Sequence, residues 1–128
     1  MAEEIIRTFW NVMATNDFAR ASQKLDPEFE YYMPQSGEYL RGRQDFAALN
    51  TAYPAAGPWT FAIRSIIADG LQGVSDVVVS DGDMTARAIT FHTIRAVLIW
   101  RQVEYWPDPY PAPEWRARWV RIVDQPPF

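Results

Sequence analysis

The spacing of apolar residues changes once along the chain, near Trp59, and this change constrains the fold most strongly. Before it, Ile5, Phe9 and Val12 recur at the spacing of an amphipathic helix. From Trp59 onward, apolar and polar residues alternate as they do in half-buried β-strands. A chain with helices first and consecutive strands afterwards is expected to form an α+β domain. Its helices should pack on the concave face of a curved antiparallel sheet.

Turn-forming residues and prolines place the boundaries of the predicted elements. The pattern predicts helices over residues 3–14, 17–25 and 43–52, and strands over 29–33, 59–68, 73–80, 84–94 and 98–106. The last four strands follow one another as an antiparallel meander. Residues 107–113 are proline-rich and predict a loop. One or two helical turns are expected over 114–123, with Trp115, Trp119 and Ile122 along one side. The 128 residues are expected to form one domain.

Composition excludes several classes of protein. The chain has no cysteine, and His92 is its single histidine, so disulfides, thiolate metal sites and multi-histidine metal sites are excluded. The net charge of −4 argues against a nucleic-acid or anionic-membrane surface. No apolar run is long enough to span a membrane, and the acidic start MAEE is unlike a signal peptide. We expect a cytoplasmic protein without a cofactor, because no phosphate-loop or calcium-loop pattern is present either.

Two predicted hairpins set the register of the sheet. Asp81-Gly82 is typical of a two-residue turn, which would place Asp76 opposite Arg87. A turn centred on Ala96 would place His92 opposite Trp100, Thr90 opposite Gln102 and Ala88 opposite Glu104.

Alternation then divides the sheet into two faces. The face expected to lie under the helices carries small, aromatic and isolated polar residues: Val77, Val79, Ala86, Ala88, Thr90, His92, Leu98, Trp100, Gln102, Glu104 and Trp106. The outer face mixes aliphatic residues with arginine: Asp76, Val78, Arg87, Ile89, Phe91, Ile99, Arg101, Val103 and Tyr105. Because such a face rarely stays bare, we expect a homodimer through the outer sheet face.

Three stretches carry a resemblance to a known family. They are the opening helix EEIIRTFWNVMATNDF, the segment MPQSGEYLRGRQDF and the ending VEYWPDPYPAPEWRARWV. With the order of elements, they resemble the SnoaL-like branch of the nuclear transport factor 2-like superfamily over nearly the whole chain. The resemblance implies a cone-shaped sheet around an open apolar cavity, dimerisation through the sheet, and in some members acid–base chemistry on hydrophobic ligands.

The resemblance also singles out Glu104. Several catalytic members of the superfamily place a carboxylate on the last strand, shortly before an aromatic pair, and Glu104 precedes Tyr105-Trp106. An apolar surrounding disfavours the charged carboxylate and raises its pKa toward the range useful for acid–base catalysis. Alternatively, Glu104 pairs with a nearby arginine or lies in solvent at the rim. The Arg–Asp arrangement of epoxide hydrolases has no clear counterpart in this chain.

Further candidates share the predicted inner face. His92 is a second candidate for proton transfer, or a hydrogen-bonded structural residue. Thr90 and Gln102 are candidates to hold a ligand carbonyl or hydroxyl, or they satisfy one another. Of Tyr31 and Tyr32, one must point inward, and we take Tyr31 as the ligand-binding residue. The aromatic residues Trp100 and Trp106 complete the predicted site.

These expectations support two functions. The first is a cofactor-independent pocket protein that binds a small hydrophobic molecule with a carbonyl or hydroxyl group, with proton transfer by Glu104 as its chemistry. The alternative is a non-catalytic ligand-sensing or dimerisation module of the same fold. The alternative predicts a cavity filled by Trp100 and Trp106, with Glu104 neutralised by an arginine.

Overall fold

A computed structural model describes all 128 residues of the chain. The elements are α1 (Ala2–Met13), α2 (Phe18–Ser22), β1 (Leu25–Met33), β2 (Glu38–Arg41), α3 (Arg43–Ala52), β3 (Thr60–Asp69), β4 (Gln72–Ser80), β5 (Thr85–Arg95) and β6 (Leu98–Tyr105), followed by a single 3-10 turn at Glu114–Arg116. The third helix has the predicted bounds. The other predicted helices and strands are present with shifted ends, and β2 was not predicted.

The strands form one curved, open sheet in the order β2-β1-β6-β5-β4-β3. All neighbouring strands are antiparallel except β1 and β6, which are parallel. The predicted α+β cone is confirmed, with the difference that the sheet is mixed and has six strands. No helix has both the length and the apolar character needed to cross a membrane.

The core lies between the helices and the inner face of the sheet. Helix α1 buries Ile6, Phe9 and Trp10 at helical spacing and packs against β3 and β4. Helix α3 buries Phe46, whose ring contacts Phe29 of β1 edge-on at 5.5 Å between centroids. The amphipathic pattern of α1 therefore defines the side of the sheet that carries the core.

The connection between β4 and β5 is longer than the predicted two-residue turn. The Asp81 carboxylate accepts hydrogen bonds from the backbone N–H groups of Ala56, Asp83 and Met84, which orders residues 81–84 as the loop. Arg87 consequently lies opposite Val78, not opposite Asp76 as predicted. The two charged side chains still form a bidentate pair at 2.6 and 2.5 Å because they are diagonal neighbours. The register moves by two residues, so the faces are unchanged.

A bulge between β5 and β6 overturns part of the predicted inner face. The register passes from Thr93 opposite Arg101 to Ile94 opposite Ile99, which leaves Trp100 without a partner. Ile99 is fully buried, whereas it was predicted to lie outside.

Trp100 was predicted to lie on the inner face, and that placement is wrong. Its ring lies outside, between the guanidinium groups of Arg95 and Arg101, at 4.3 and 3.7 Å from the ring centroid. The predicted cross-strand partners of His92 and Thr90 are wrong for the same reason. In the structure His92 is opposite Gln102, and Thr90 is opposite Glu104.

The C-terminal segment after β6 has little regular structure. The helical turns predicted over 114–123 are reduced to the three residues of the 3-10 turn, and no residue after Trp106 is buried. Trp115 and Trp119 are 75% and 69% exposed. Their apolar stripe therefore has no partner surface within the chain, which is why it does not stabilise a helix.

Candidate functional site

A cavity of about 490 Å³ lies between the helices and the inner face of the sheet. It is lined by 22 residues, of which 15 are hydrophobic and nine are aromatic. Phe9 and Trp10 of α1, Phe46 of α3 and Phe61 of β3 supply most of the apolar wall. A concave, mainly apolar space with a few polar groups is typical of a small-molecule site.

Glu104 lies on the wall of this cavity and is held by two hydroxyl groups. Thr90, directly opposite on β5, donates to Glu104 Oε2 at 2.6 Å. The Tyr31 hydroxyl, on the neighbouring β1, forms a hydrogen bond with Glu104 Oε1. Both Tyr31 and Glu104 line the cavity, whereas Thr90 contacts Glu104 from behind. The hairpin of β5 and β6 and the sequence-distant strand β1 therefore build one polar centre.

The environment of Glu104 favours its neutral form. Burial raises the pKa of this carboxyl, and the hydrogen bonds from Thr90, Tyr31 and Trp106 only partly oppose that effect. Glu104 forms no ion pair, and no basic side chain lines the cavity. Burial, together with the adjacent Glu104, also raises the pKa of Tyr31, so the phenol stays protonated. A buried carboxyl with a raised pKa beside a protonated phenol is a candidate centre for proton transfer.

His92 lies behind the cavity wall rather than on it. It is 2% exposed and does not line the cavity. Its Nδ1 accepts a hydrogen bond from the Gln102 amide at 3.1 Å, and its Nε2 is 2.7 Å from the Ser75 hydroxyl. The Trp10 indole N–H donates to the same hydroxyl at 3.0 Å. Burial lowers the pKa of His92 to about 3, so this imidazole is neutral near pH 7.

Gln102 connects this buried network to the cavity. Its amide nitrogen is used by His92, while its side-chain carbonyl oxygen accepts no hydrogen bond from the protein. Every fully buried polar side-chain atom in the chain has a partner. The Gln102 oxygen is therefore open to the cavity that the residue lines.

The mouth of the cavity is fixed by Gln35 and Trp106. The backbone N–H of Trp106 donates to Gln35 Oε1 at 2.6 Å, and Gln35 Nε2 donates back to the Trp106 carbonyl at 3.2 Å. This pair ties the turn between β1 and β2 to the end of β6. The exposed carboxylates of Glu38 and Asp108 stand at the same opening.

The structure brings together some of the predicted site residues and separates others. Tyr31, Gln102, Glu104 and Trp106 line the cavity. Tyr31 is the inward residue of its pair, since Tyr32 is 42% exposed. His92 and Thr90 lie behind the wall, and Trp100 lies outside.

Sequence reasoning missed much of the apolar wall and the mouth. Phe9, Trp10 and Phe46 are not among the predicted site residues. Their helical spacing showed burial, but not that the buried face would border a cavity. No local pattern around Gln35 indicated its position at the mouth, because that role depends on a long-range contact with Trp106.

Comparison with solved structures shows the same fold. A candidate ketosteroid isomerase from Kribbella flavida is similar at a TM-score of 0.88 and 24% identity, covering 97% of this chain and 90% of that chain. An NTF-2 like protein of unknown function from Burkholderia xenovorans is similar at 0.77 and 27% identity, covering 95% and 94%. A protein of ketosteroid isomerase-like fold from Catenulispora acidiphila, in complex with trimethylamine, is similar at 0.69 and 13% identity, covering 80% and 84%.

Sequence comparison identifies the family. A search of curated proteins finds no match. The family model described as the SnoaL-like domain matches residues 6–104, a range that contains most of α1, all of α2, α3 and β1 to β5, and Glu104 itself. This match agrees with the resemblance seen in the sequence and with the fold. The chain belongs to the SnoaL-like domain family.

Proposed function

We propose that this protein binds a small hydrophobic molecule with a carbonyl or hydroxyl group and transfers a proton with Glu104 as acid or base. One observation carries the proposal. Glu104 faces a largely apolar cavity, has no basic partner, and shares a hydrogen bond with a cavity-lining phenol, that of Tyr31. The reaction class is isomerisation, cyclisation, dehydration or hydration without a cofactor.

The hydrogen bond between Tyr31 and Glu104 supplies a mechanism. When Glu104 is ionised, the Tyr31 O–H donates to it. If Glu104 takes a proton from the carbon next to a ligand carbonyl, the electron pair of the broken C–H bond forms a C=C bond and the π pair of the carbonyl moves onto its oxygen. The new carboxyl O–H then donates to the Tyr31 oxygen, which frees the phenol O–H to donate to that oxyanion. Proton abstraction and oxyanion stabilisation are thereby coupled.

Similar structures support this chemistry. They include a candidate ketosteroid isomerase and an epoxide hydrolase-like protein from M. tuberculosis that is 17% identical. They also include the trimethylamine complex. These neighbours supply reaction types compatible with a carboxyl in an apolar cavity, while the choice of Glu104 rests on its own surroundings.

Deuterium exchange into 2-tetralone tests the proposal. The wild-type protein should accelerate loss of the α-proton NMR signals in D₂O, and Glu104→Gln should reduce that acceleration by about 10²-fold or more. Glutamine keeps the shape and accepts one of the two hydrogen bonds, while its amide N–H can donate to the other hydroxyl oxygen, but it cannot accept the proton. A variant that keeps more than a tenth of the wild-type rate would contradict the assignment. Binding of 2-tetralone without any exchange would favour the non-catalytic alternative.

We also propose a homodimer as the working form, with the outer sheet face and the C-terminal segment covered by a second copy. On the outer face, Phe91 is 48% exposed and packs edge-on against Tyr105. After β6, Tyr110, Trp115, Trp119 and Phe128 are all at least 69% exposed.

The exposed area agrees with a dimer. Covering those four aromatic side chains on each of two chains would bury roughly 1,200 Å² in total. That area lies within the range of specific interfaces. Native mass spectrometry should show a dimer, and a monomer at micromolar concentration would contradict this proposal. The cytoplasm remains the predicted compartment.

A further inference from the structure

The charged groups around the cavity all have the same sign. Among the 22 lining residues, Glu38, Glu104 and Asp108 are acidic, and none is lysine, arginine or histidine. Glu38 and Asp108 also have no ion-pair partner elsewhere in the chain. Because burial favours the neutral form of Glu104, the negative charge belongs to Glu38 and Asp108 at the mouth, where it attracts a cation and repels an anion.

One acceptor in the cavity wall has no hydrogen-bond donor. The hydroxyl groups of Tyr31 and Thr90 are already bonded to Glu104. Gln102, 98% buried, turns an unused carbonyl oxygen toward the cavity. A ligand group that bonds to this oxygen must be a hydrogen-bond donor.

Aromatic rings supply a third property. Nine aromatic side chains line the cavity, including Trp10, Trp59 and Trp106. The faces of such rings attract cations, and the attraction grows when the cation is removed from water. The apolar wall, the acceptor and the negative charges are together complementary to a hydrophobic molecule that carries a positively charged hydrogen-bond donor.

We propose that the ligand carries a protonated amine, whose N–H group donates to Gln102 Oε1 and whose charge is balanced by Glu38 and Asp108. This inference rests on the proposed function because it concerns the same cavity. It adds a ligand class, hydrophobic amines, and it excludes carboxylates and phosphates. Glu38 lies near the Tyr31–Glu104 pair, since it is opposite Met33 on the neighbouring strand and its charge contributes to the raised pKa of Tyr31.

Three probes with one carbon skeleton test the inference by calorimetry. They are 2-(2-naphthyl)ethylamine as the cation, 2-(2-naphthyl)ethanol as the neutral hydroxyl compound, and 2-naphthylacetate as the anion. We expect the amine to bind at least tenfold more tightly than the alcohol, and the anion to bind most weakly. The double variant Glu38→Gln/Asp108→Asn should reduce the ratio of amine to alcohol affinity by about tenfold.

A matched control removes two negative charges elsewhere. Glu4→Gln/Asp124→Asn has the same net charge as the first double variant, but neither residue lines the cavity. Its affinity ratio should equal that of the wild type. An equal ratio in both double variants would overturn the roles of Glu38 and Asp108.

The outcomes separate this inference from the proposed function. If the alcohol binds as tightly as the amine or more tightly, the amine inference is wrong and the proposed function stands. If none of the three probes binds, both are contradicted.

Discussion

The Tyr31 hydroxyl and the Glu104 carboxyl share a hydrogen bond inside the cavity although 73 residues separate them in sequence. The contact exists because β1 lies parallel to β6, with Tyr31 opposite Gln102. It joins a carboxyl whose pKa is raised by burial to a phenol that remains protonated. The chemistry proposed for this protein depends on that pair.

Removing the phenol should weaken catalysis and shift its pH dependence. Tyr31→Phe deletes a donor to the oxyanion, and the rate of 2-tetralone exchange should fall by about 10²-fold. The Tyr31 hydrogen bond lowers the pKa of Glu104, so its loss should move the rise of the rate with pH to higher pH. Tyr32→Phe is the matched control, because Tyr32 is exposed and should leave rate and profile unchanged. Equal profiles for the two variants would refute the coupling.

Glu104→Gln should stabilise the fold at neutral and alkaline pH. Since burial raises the folded-state pKa of Glu104, its favourable contribution is complete below the unfolded-state pKa and is lost as pH rises through the folded-state value. A glutamine at this position does not titrate, so its contribution to stability does not depend on pH. Urea unfolding from pH 4 to pH 9 should show the variant gaining stability relative to wild type as pH rises. A constant difference over that range would mean that Glu104 is not desolvated.

His92 should affect acid stability and have little effect on catalysis. Burial lowers its folded-state pKa to about 3, below the ordinary 6.5, so wild-type stability should be lost as pH falls from about 6.5 toward 3. Relative to His92→Gln, the expected slope is at most about 1.4 kcal/mol per pH unit. Urea unfolding at pH 7, 5 and 4 measures this slope. A difference in stability between wild type and His92→Gln that stays constant with pH would contradict the lowered pKa of His92.

Exchange of 2-tetralone separates this structural role from a catalytic one. Because His92 does not line the cavity, His92→Gln should change the rate at pH 7 by less than about threefold, far below a general acid–base contribution. A loss of 10²-fold, with the fold intact by circular dichroism, would restore His92 as a catalytic residue.

The C-terminal tryptophans should affect assembly rather than the folding of one chain. Both are largely exposed, so Trp115→Ala/Trp119→Ala should change the free energy of unfolding of a single chain by no more than about 0.5 kcal/mol. If the second copy covers them, the dimer should dissociate at concentrations at which wild type is dimeric. Light scattering over a dilution series measures this. A variant as dimeric as wild type would remove the C-terminal segment from the interface.

The sequence alone predicts the fold class and most of the inner face, because helical and alternating spacing are local properties. Alternation placed Gln102 and Glu104 inside, and both are buried. A two-residue change in register left those faces intact at the β4–β5 connection, where Asp81 caps a longer loop.

The errors come from features that spacing does not encode. The bulge at Trp100 interrupts the alternation, so Trp100 and Ile99 exchange sides. The turn that precedes it uses positive φ at Ala96 and Val97, residues that carry no turn signal. The edge strand β2 is mostly exposed and therefore shows no alternation. The open space beside Phe9 and Phe46 depends on the curvature of the sheet, which no local pattern reports.

Direct titration of the Glu104 side-chain carboxyl by ¹³C NMR tests the central claim. With the protein labelled at glutamate Cδ, and Glu104→Gln used to assign the signal, the resonance should titrate well above the ordinary value of 4.5. The same midpoint should govern the pH dependence of 2-tetralone exchange. A Glu104 midpoint at or below 4.5 would show a solvated or ion-paired carboxylate and would contradict the account.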